Sequence, residues 1–425
     1  MKHYTSVWYL VVGLAIFFPL GWRILSFEQP VGVAPEADAV ARGKTLFTHE
    51  WTDNDPLTKG DGLGPVYNAT SCAACHRSPA LGGAGGLEHN VTNFVAGRGG
   101  LPTIRQGVLH ALATRPEFEE TLSQVHSAMP PISRVPLKSL LQGQGGNNES
   151  LNIPPGVLLS QRNTPALFGA RQIDEIPDRV IIGQERLART RWGMIGSGTE
   201  TSPVGRSLRL AGGRVGRFGW KAQSASLLEF VQAACANELG LSNPGNPQPA
   251  PLSKPSYQQV GLDLTLEQCR DMRDFVAALP RPVQQLPQTV HAQTNVMHGQ
   301  RLFNQIGCAD CHVPNMGEVT GIYSDLLLHR MGRDLTGVGA YYGSPVETAP
   351  SSGDGPLPDE WRTPPLWGVA ESAPYLHDGR AATLKDAIIM HGGQGQASVR
   401  RFSLLTVPNQ QAIIRFLESL RAPSE

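Results

Sequence analysis

Charge is scarce in this chain and carries no net sign. Only 17% of the 425 residues are charged, and 36 basic residues balance 36 acidic ones, for a net charge of zero. No basic stretch is long enough to follow a phosphate backbone, which excludes nucleic acid as a partner. Long hydrophobic runs are equally scarce. The main one, Val7 to Leu20, follows Lys2 and His3 and precedes Gly21-Trp22-Arg23. It is short for a spanning helix and fits the apolar region of a signal. Extended to Phe27, it becomes a marginal anchor. An obvious cleavage site is missing too, with Gly32-Val33-Ala34 the best candidate. Residues 1–27 are therefore expected to be a signal peptide or an N-terminal membrane anchor, with an uncleaved hydrophobic helix favoured. Residues 28–38, with Pro30 and Pro35, form a linker. Either reading carries the rest of the chain across the inner membrane, to the periplasm.

What is present is enough to fold. Hydrophobic residues make up 40% of the chain, and its length predicts two or three domains with real cores. Gly 47 and Pro 34 are high counts, predicting short helices joined by long ordered loops.

Cysteine is rare, six in all, yet four of the six fall in two short motifs. These are Cys72-Ala73-Ala74-Cys75-His76 and Cys308-Ala309-Asp310-Cys311-His312. Each is a CxxCH, the attachment signature of c-type haem; chance would give about 0.002 such motifs here. Two thiols at that spacing add to the two vinyl groups of one porphyrin, and the following histidine ligates iron. A redox dithiol or half a zinc site would lack the adjacent His or need a second close Cys pair. The cofactors expected are two covalently bound c-type haems, held by Cys72, Cys75, Cys308 and Cys311, with His76 and His312 as proximal ligands. Cys235 and Cys269 are left over. In an oxidising compartment leftover cysteines tend to pair, which predicts a Cys235–Cys269 disulfide. The alternative is two buried thiols.

Other landmarks recur around the two motifs. Gly43-Lys44-Thr45-Leu46-Phe47 precedes the first, and Gly299-Gln300-Arg301-Leu302-Phe303 precedes the second. Arg162-Asn163-Thr164-Pro165-Ala166-Leu167-Phe168-Gly169 is answered by Arg362-Thr363-Pro364-Pro365-Leu366-Trp367-Gly368. Phe218 to Glu229 matches Tyr375 to Asp386 loosely, each ending in a Ser or Thr N-cap before a helix. Phe275 to Leu279 parallels Phe416 to Leu420 as a closing helix. The fold class expected is mainly α, with two tandem cytochrome c-like domains at 39–282 and 283–425. The first is enlarged around 78–160 and 171–217. In that excess, Arg179 to Ile182 and Ser207 to Leu210 suggest a small β-hairpin.

The repeat is unequal where the sixth iron ligand should lie. Eight residues after the N-cap Thr383 comes His391; eight after the paired Ser226 comes Ala234. The second haem is read as capped by His391, with Met390 the runner-up. The first is read as open and reactive. Glu238, just beyond Ala234, is the candidate acid or base, and Glu175 the alternative. Trp220 is the candidate bridge between the two irons. His89, His110, His126 and His329 read as surface or structural residues, although one could be a displaceable ligand of the first haem.

These residues resemble the bacterial di-haem cytochrome c peroxidase superfamily. The chain is most similar to the branch called di-haem, or thiol, oxidoreductases. The stretches that carry the resemblance are Gly62 to Thr70, Arg162 to Pro177, Gly216 to Gly240, Gly307 to Pro314 and Trp361 to Gly393. The resemblance implies a peroxidatic N-terminal haem and a six-coordinate C-terminal haem that takes electrons from a donor. That donor would be a small cytochrome c or cupredoxin, or a quinol-linked chain, and the oxidant a small molecule such as peroxide. The family's inter-haem Trp maps onto Trp220, and its distal Glu approximately onto Glu238. Peroxidases of this type usually carry Met where this chain has His391. Their distal Gln and Pro fall on Phe230 and Ala234, which weakens the case for simple peroxide turnover. Calcium between the domains is also implied, although no loop identifies its site. The competing readings are a di-haem electron carrier, with His89 or His126 on the first iron, and a thiol oxidase using Cys235 and Cys269.

Overall fold

Twelve residues from Ala37 open the fold. The computed structural model describes residues 34–97, 104–142, 151–193, 202–337 and 355–423. The expected N-terminal hydrophobic helix lies outside the described residues, and among them no helix is long and apolar enough to cross a membrane. In chain order the elements that matter here are α1 (Ala37–Thr48), α2 (Cys72–Cys75), β1 (Val91–Gly97), β2 (Ile104–Leu109), β3 (Val157–Arg162), α3 (Asp178–Gly193), α4 (Leu227–Leu239), α5 (Leu266–Ala278), α6 (Val290–Gln305), β4 (Leu328–Arg330), β5 (Glu360–Arg362), α7 (Leu384–Ile389), α8 (Gln396–Leu404) and α9 (Val407–Glu418). The protein is thus helical with some strands.

Two crossed helix pairs repeat. α1 buries Ala39, Gly43, Leu46 and Phe47, a stripe at helical spacing. α5, started by a Thr265–Gln268 capping box, buries Met272, Phe275 and Val276. They cross so closely that a Cβ on Gly43 would lie 1.9 Å from the Asp271 carbonyl oxygen. Arg42 adds a two-pronged ion pair to the Asp271 carboxylate, at 2.8 Å on each prong. In the second half α6 meets α9 in the same way, and a Cβ on Gly299 would lie 1.9 Å from the Ala412 carbonyl oxygen. The predicted opening and closing helices are therefore partners, and the matched glycines are their crossing points.

The turns repeat as well. Phe218 bridges Ser224, and Tyr375 bridges Ala381. Each turn runs into a capped helix: Ser226 Oγ accepts from the Glu229 amide at 3.3 Å, and Thr383 Oγ1 from the Asp386 amide at 3.1 Å. Each cap contributes about 1 kcal/mol.

The expected hairpin is not formed. Arg179 to Ile182 lies within α3, and Ser207 to Leu210 makes only an isolated bridge through Arg209 to Val215. The β-branched cluster packs on a helix face, with Ile181 fully buried in the main apolar cluster. Pro177 and Asp178 before it are helix-start residues. The strands of the enlargement lie elsewhere, in an antiparallel sheet ordered β2-β1-β3.

Candidate functional site: two haem cradles

Each CxxCH histidine is held the same way. His76 Nδ1 donates to the Gly83 carbonyl at 3.2 Å, and His312 Nδ1 to the Tyr323 carbonyl at 2.9 Å. Phe47 lies 6.2 Å from the His76 ring and Phe303 lies 6.3 Å from the His312 ring, centroid to centroid. Behind them the Phe47–Phe275 and Phe303–Phe416 pairs sit at 5.0 and 5.3 Å. Burial pushes both histidines down to about 4; for His312 the neighbouring His391 adds to the shift. Both are therefore neutral with Nδ1 tied to backbone; at His312 this leaves the Nε2 lone pair for a metal, whereas His76 has the Pro165 backbone as a second partner. Burial also pushes the Cys72, Cys75 and Cys308 thiols up to about 12. That disfavours a redox dithiol, which needs a thiolate.

The second cradle closes on itself. The His391 ring centroid lies 6.5 Å from that of His312. Two metal–imidazole bonds of about 2 Å plus two half-rings span about 6 Å, so one iron fits between them. His391 Nδ1 donates to the Ala387 carbonyl at 2.6 Å, and burial lowers its proton affinity. Met390, the runner-up ligand, is 41% exposed and is set aside. A cavity of 580 Å³ is lined here by Cys308, Cys311, His312 and His391. The donor set and the space fit a c-type haem.

The first cradle lacks that cap. Ala234 on α4 is half-buried and offers no ligand atom. One turn earlier, Phe230 stacks on Phe218 at 5.7 Å with 20° between the rings. The same cavity reaches this half through Phe218, Leu227 and Phe230, the counterparts of Tyr375, Leu384 and Ala387. Cys72, Cys75 and His76 repeat the second motif's donor set and its backbone-tied histidine, which suits them to a haem, although the cavity's lining does not include them.

Glu238 is brought to the first cradle. Asn68 Nδ2 donates to its carboxylate at 2.8 Å, and its charge helps raise the Cys72 and Cys75 thiols. Glu175 instead pairs with Arg171 on the surface. Trp220 lies between the halves. Its indole N–H donates to the Asn163 carbonyl at 2.9 Å, and its carbonyl accepts from the Arg362 amide at 2.9 Å.

The remaining histidines divide. His110 is saturated by Glu120 at 2.9 Å and the Asn237 carbonyl at 3.1 Å. His329 is held by Asp325 at 2.8 Å and Gln394 at 3.0 Å. With Cys311, Asp325 and His329 form a group able to hold a metal, but Cys311 belongs to the second haem motif. His126 Nδ1 accepts from the Ala128 amide on an exposed turn. His89 is near enough for its charge to lower the His76 proton affinity.

Cys235 and Cys269 are free thiols, not the expected disulfide. Both are buried in one apolar cluster with Trp51, Leu264 and Met272. Burial raises both thiols, Cys269 to about 12, so neither supplies the thiolate that starts disulfide exchange. They pack as small hydrophobes.

Sequence reasoning missed the buried group between the cradles: Arg162, Lys221, Trp361 and His377. The available signal was the repeat itself, because Trp220 and His377 occupy the same place in the matched turns.

Residues 209–420 match the family described as "Di-haem oxidoreductase, putative peroxidase". The match contains Trp220, Glu238, the second CxxCH and His391, and begins after the first CxxCH. Hydrazine synthase subunit gamma of Kuenenia stuttgartiensis is 28% identical over 148 residues, covering 29% of this chain and 40% of that protein. The chain thus spans less than half the length of that relative. Among solved structures, Kuenenia stuttgartiensis hydrazine synthase pressurised with 20 bar xenon aligns at a TM-score of 0.43 and 14% identity, over 98% of this chain and 100% of that one. A MauG-like protein associated with microbial copper homeostasis aligns at a TM-score of 0.25 and 22% identity, over 36% of this chain and 52% of that one. Through residues 209–420, the chain belongs to the di-haem oxidoreductase family.

Proposed function

We propose that this chain is a periplasmic di-haem c-type oxidoreductase of peroxidase type. One observation carries the reading: His312 and His391 face each other at 6.5 Å, whereas the matched position of the first cradle is Ala234. A covalently bound haem at each cradle would supply electron transfer at the second and a reactive iron for peroxide or another small oxidant at the first. His312 and His391 hold the second cradle closed, so its task is to pass electrons from a small redox donor protein or quinol-linked chain. Trp220, pinned at both its indole N–H and its carbonyl, lies on the way to the first half. Glu238, oriented by Asn68, would take up and return the proton. Phe218 and Phe230 keep water from that face of the first cradle.

The test is an optical titration of the purified holoprotein with cyanide and with peroxide. The reading expects one haem to shift and the other to stay unchanged. It is lost if neither shifts in either oxidation state. The proximity of His89 to His76 favours a second reading, a pure electron carrier with His89 on the first iron. His89→Ala would then convert a low-spin haem to high-spin; under the main reading it leaves the spin state unchanged.

A further inference from the structure

Between the cradles lies a buried stack of rings and cations with no part in the reading above. Trp361, in β5, is 6% exposed. The His377 ring lies flat on it, 3.8 Å away at 14°. The Arg162 guanidinium stands 4.5 Å from its centroid and Lys221 Nζ 3.9 Å. The repeat explains the meeting. Arg162 and Trp361 each sit seven residues before the matched glycines Gly169 and Gly368, and Trp220 matches His377. The halves exchange backbone bonds at these points: the Asn163 amide donates to the His377 carbonyl at 2.8 Å, and the Arg362 amide to the Trp220 carbonyl at 2.9 Å. Two tryptophans, Trp220 and Trp361, therefore stand at one junction.

Their electrostatic settings differ. Lys221 Nζ donates to the Leu357, Pro358 and Glu360 carbonyls at 2.9, 2.8 and 2.8 Å. Three acceptors require three N–H bonds, which only the ammonium has. The geometry thus holds Lys221 charged against the pull of burial, which lowers it to about 6. The nearby Glu360 carboxylate is turned onto Arg206, at 2.8 and 2.7 Å. His377 is kept neutral by burial and by Arg162, Arg380 and Lys221. Among the described residues no cation stands over the Trp220 ring. A cation over a neutral indole is attractive. Once the ring loses an electron, the same contact is repulsive, most strongly in a dry interior.

We propose that Lys221 and Arg162 insulate Trp361 against one-electron oxidation and so confine the electron route between the cradles to Trp220. Lys221 and Arg162 are positioning residues in this account, acting on the ring and not on a substrate. The inference rests on the proposed function for the two haems, the Trp220 route and the natural source of the oxidising equivalent; the insulation of Trp361 stands on the contacts above.

The test supplies that equivalent from outside. Ruthenium(III) tris-bipyridine, generated by light from the ruthenium(II) complex with a cobalt(III) ammine as electron acceptor, takes one electron from an indole and returns to ruthenium(II). The indole radical cation gives up its N–H proton to solvent when the N–H···O bond opens, and dioxygen adds to the ring radical. The peroxyl radical takes one electron from ruthenium(II) and one proton from water to give a hydroperoxide that rearranges to N-formylkynurenine. This product is mapped by peptide mass spectrometry on the holoprotein. The expected result is at least tenfold more oxidised Trp220 than Trp361 in the natural protein. Lys221→Met or Arg162→Met brings Trp361 to within threefold of Trp220, and Lys221→Arg, which keeps a cation there, restores the natural pattern. Equal oxidation of both rings in the natural protein overturns the proposal. So does an unchanged pattern in a Met variant that keeps both haem spectra. A parallel arm with hydrogen peroxide separates the two readings: the expected ruthenium pattern with no peroxide reaction supports this inference while removing the peroxidase reading.

Discussion

Under the proposed function His391 decides the role of the second cradle, and its replacement is correspondingly specific. His391→Ala is expected to turn a low-spin haem high-spin, and His391→Met to keep it low-spin at a higher potential, read by redox titration. Cys235 and Cys269 give a second check. If haem consumes four thiols, as proposed, the denatured holoprotein should show two titratable thiols; none would mean a disulfide. His377 gives a third. Its folded proton affinity is held well below the ordinary value by burial and by Arg162, Arg380 and Lys221. Below about pH 6.5 the unfolded chain binds a proton there that the native protein does not, so stability falls as pH falls, by at most about 1.4 kcal/mol per pH unit. Denaturant midpoints from pH 7 to 5 should drop less steeply in His377→Gln than in the natural protein. That His391 comes to His312 was legible in the sequence, because the repeat places it eight residues after the N-cap Thr383. Lys221 and Arg162 were not, because their role depends on a ring from the other half. The Gly83 and Tyr323 carbonyls that fix the tautomers are backbone groups, which no side-chain motif records.

At the scale of elements, the two crossed helix pairs are the fold's repeated device. Gly43 and Gly299 sit where a methyl group would meet backbone at 1.9 Å, so neither neighbour can yield without moving a helix. Gly43→Ala and Gly299→Ala should each cost about 1–3 kcal/mol, read as a lower thermal midpoint. Each should disturb mainly the spectrum of the haem on its own helix pair. These pairs were readable in advance because glycine and aromatic spacing repeat around each CxxCH. α3 was not, because Arg179 to Ile182 carries strand-forming residues that tertiary packing holds as a helix. Nor was the β2-β1-β3 sheet, whose partners are separated by the long insertion before β3.

At the scale of the whole molecule, the halves are tied by reciprocal bonds at Asn163, Trp220, Arg362 and His377, and residues from Ala34 onward form one compact unit. Thermal unfolding of the holoprotein followed at both haems should therefore show coincident transitions. Separate transitions would mean that the junction does not couple the halves. In the proposed function the duplication supplies two like cradles, and Ala234 standing where the second half has His391 makes them unequal. Low-temperature EPR of the purified holoprotein, before and after cyanide, tests that inequality most directly. The account predicts one low-spin signal that ignores cyanide and one high-spin signal that converts to low-spin. Two low-spin signals, both unresponsive, would contradict it.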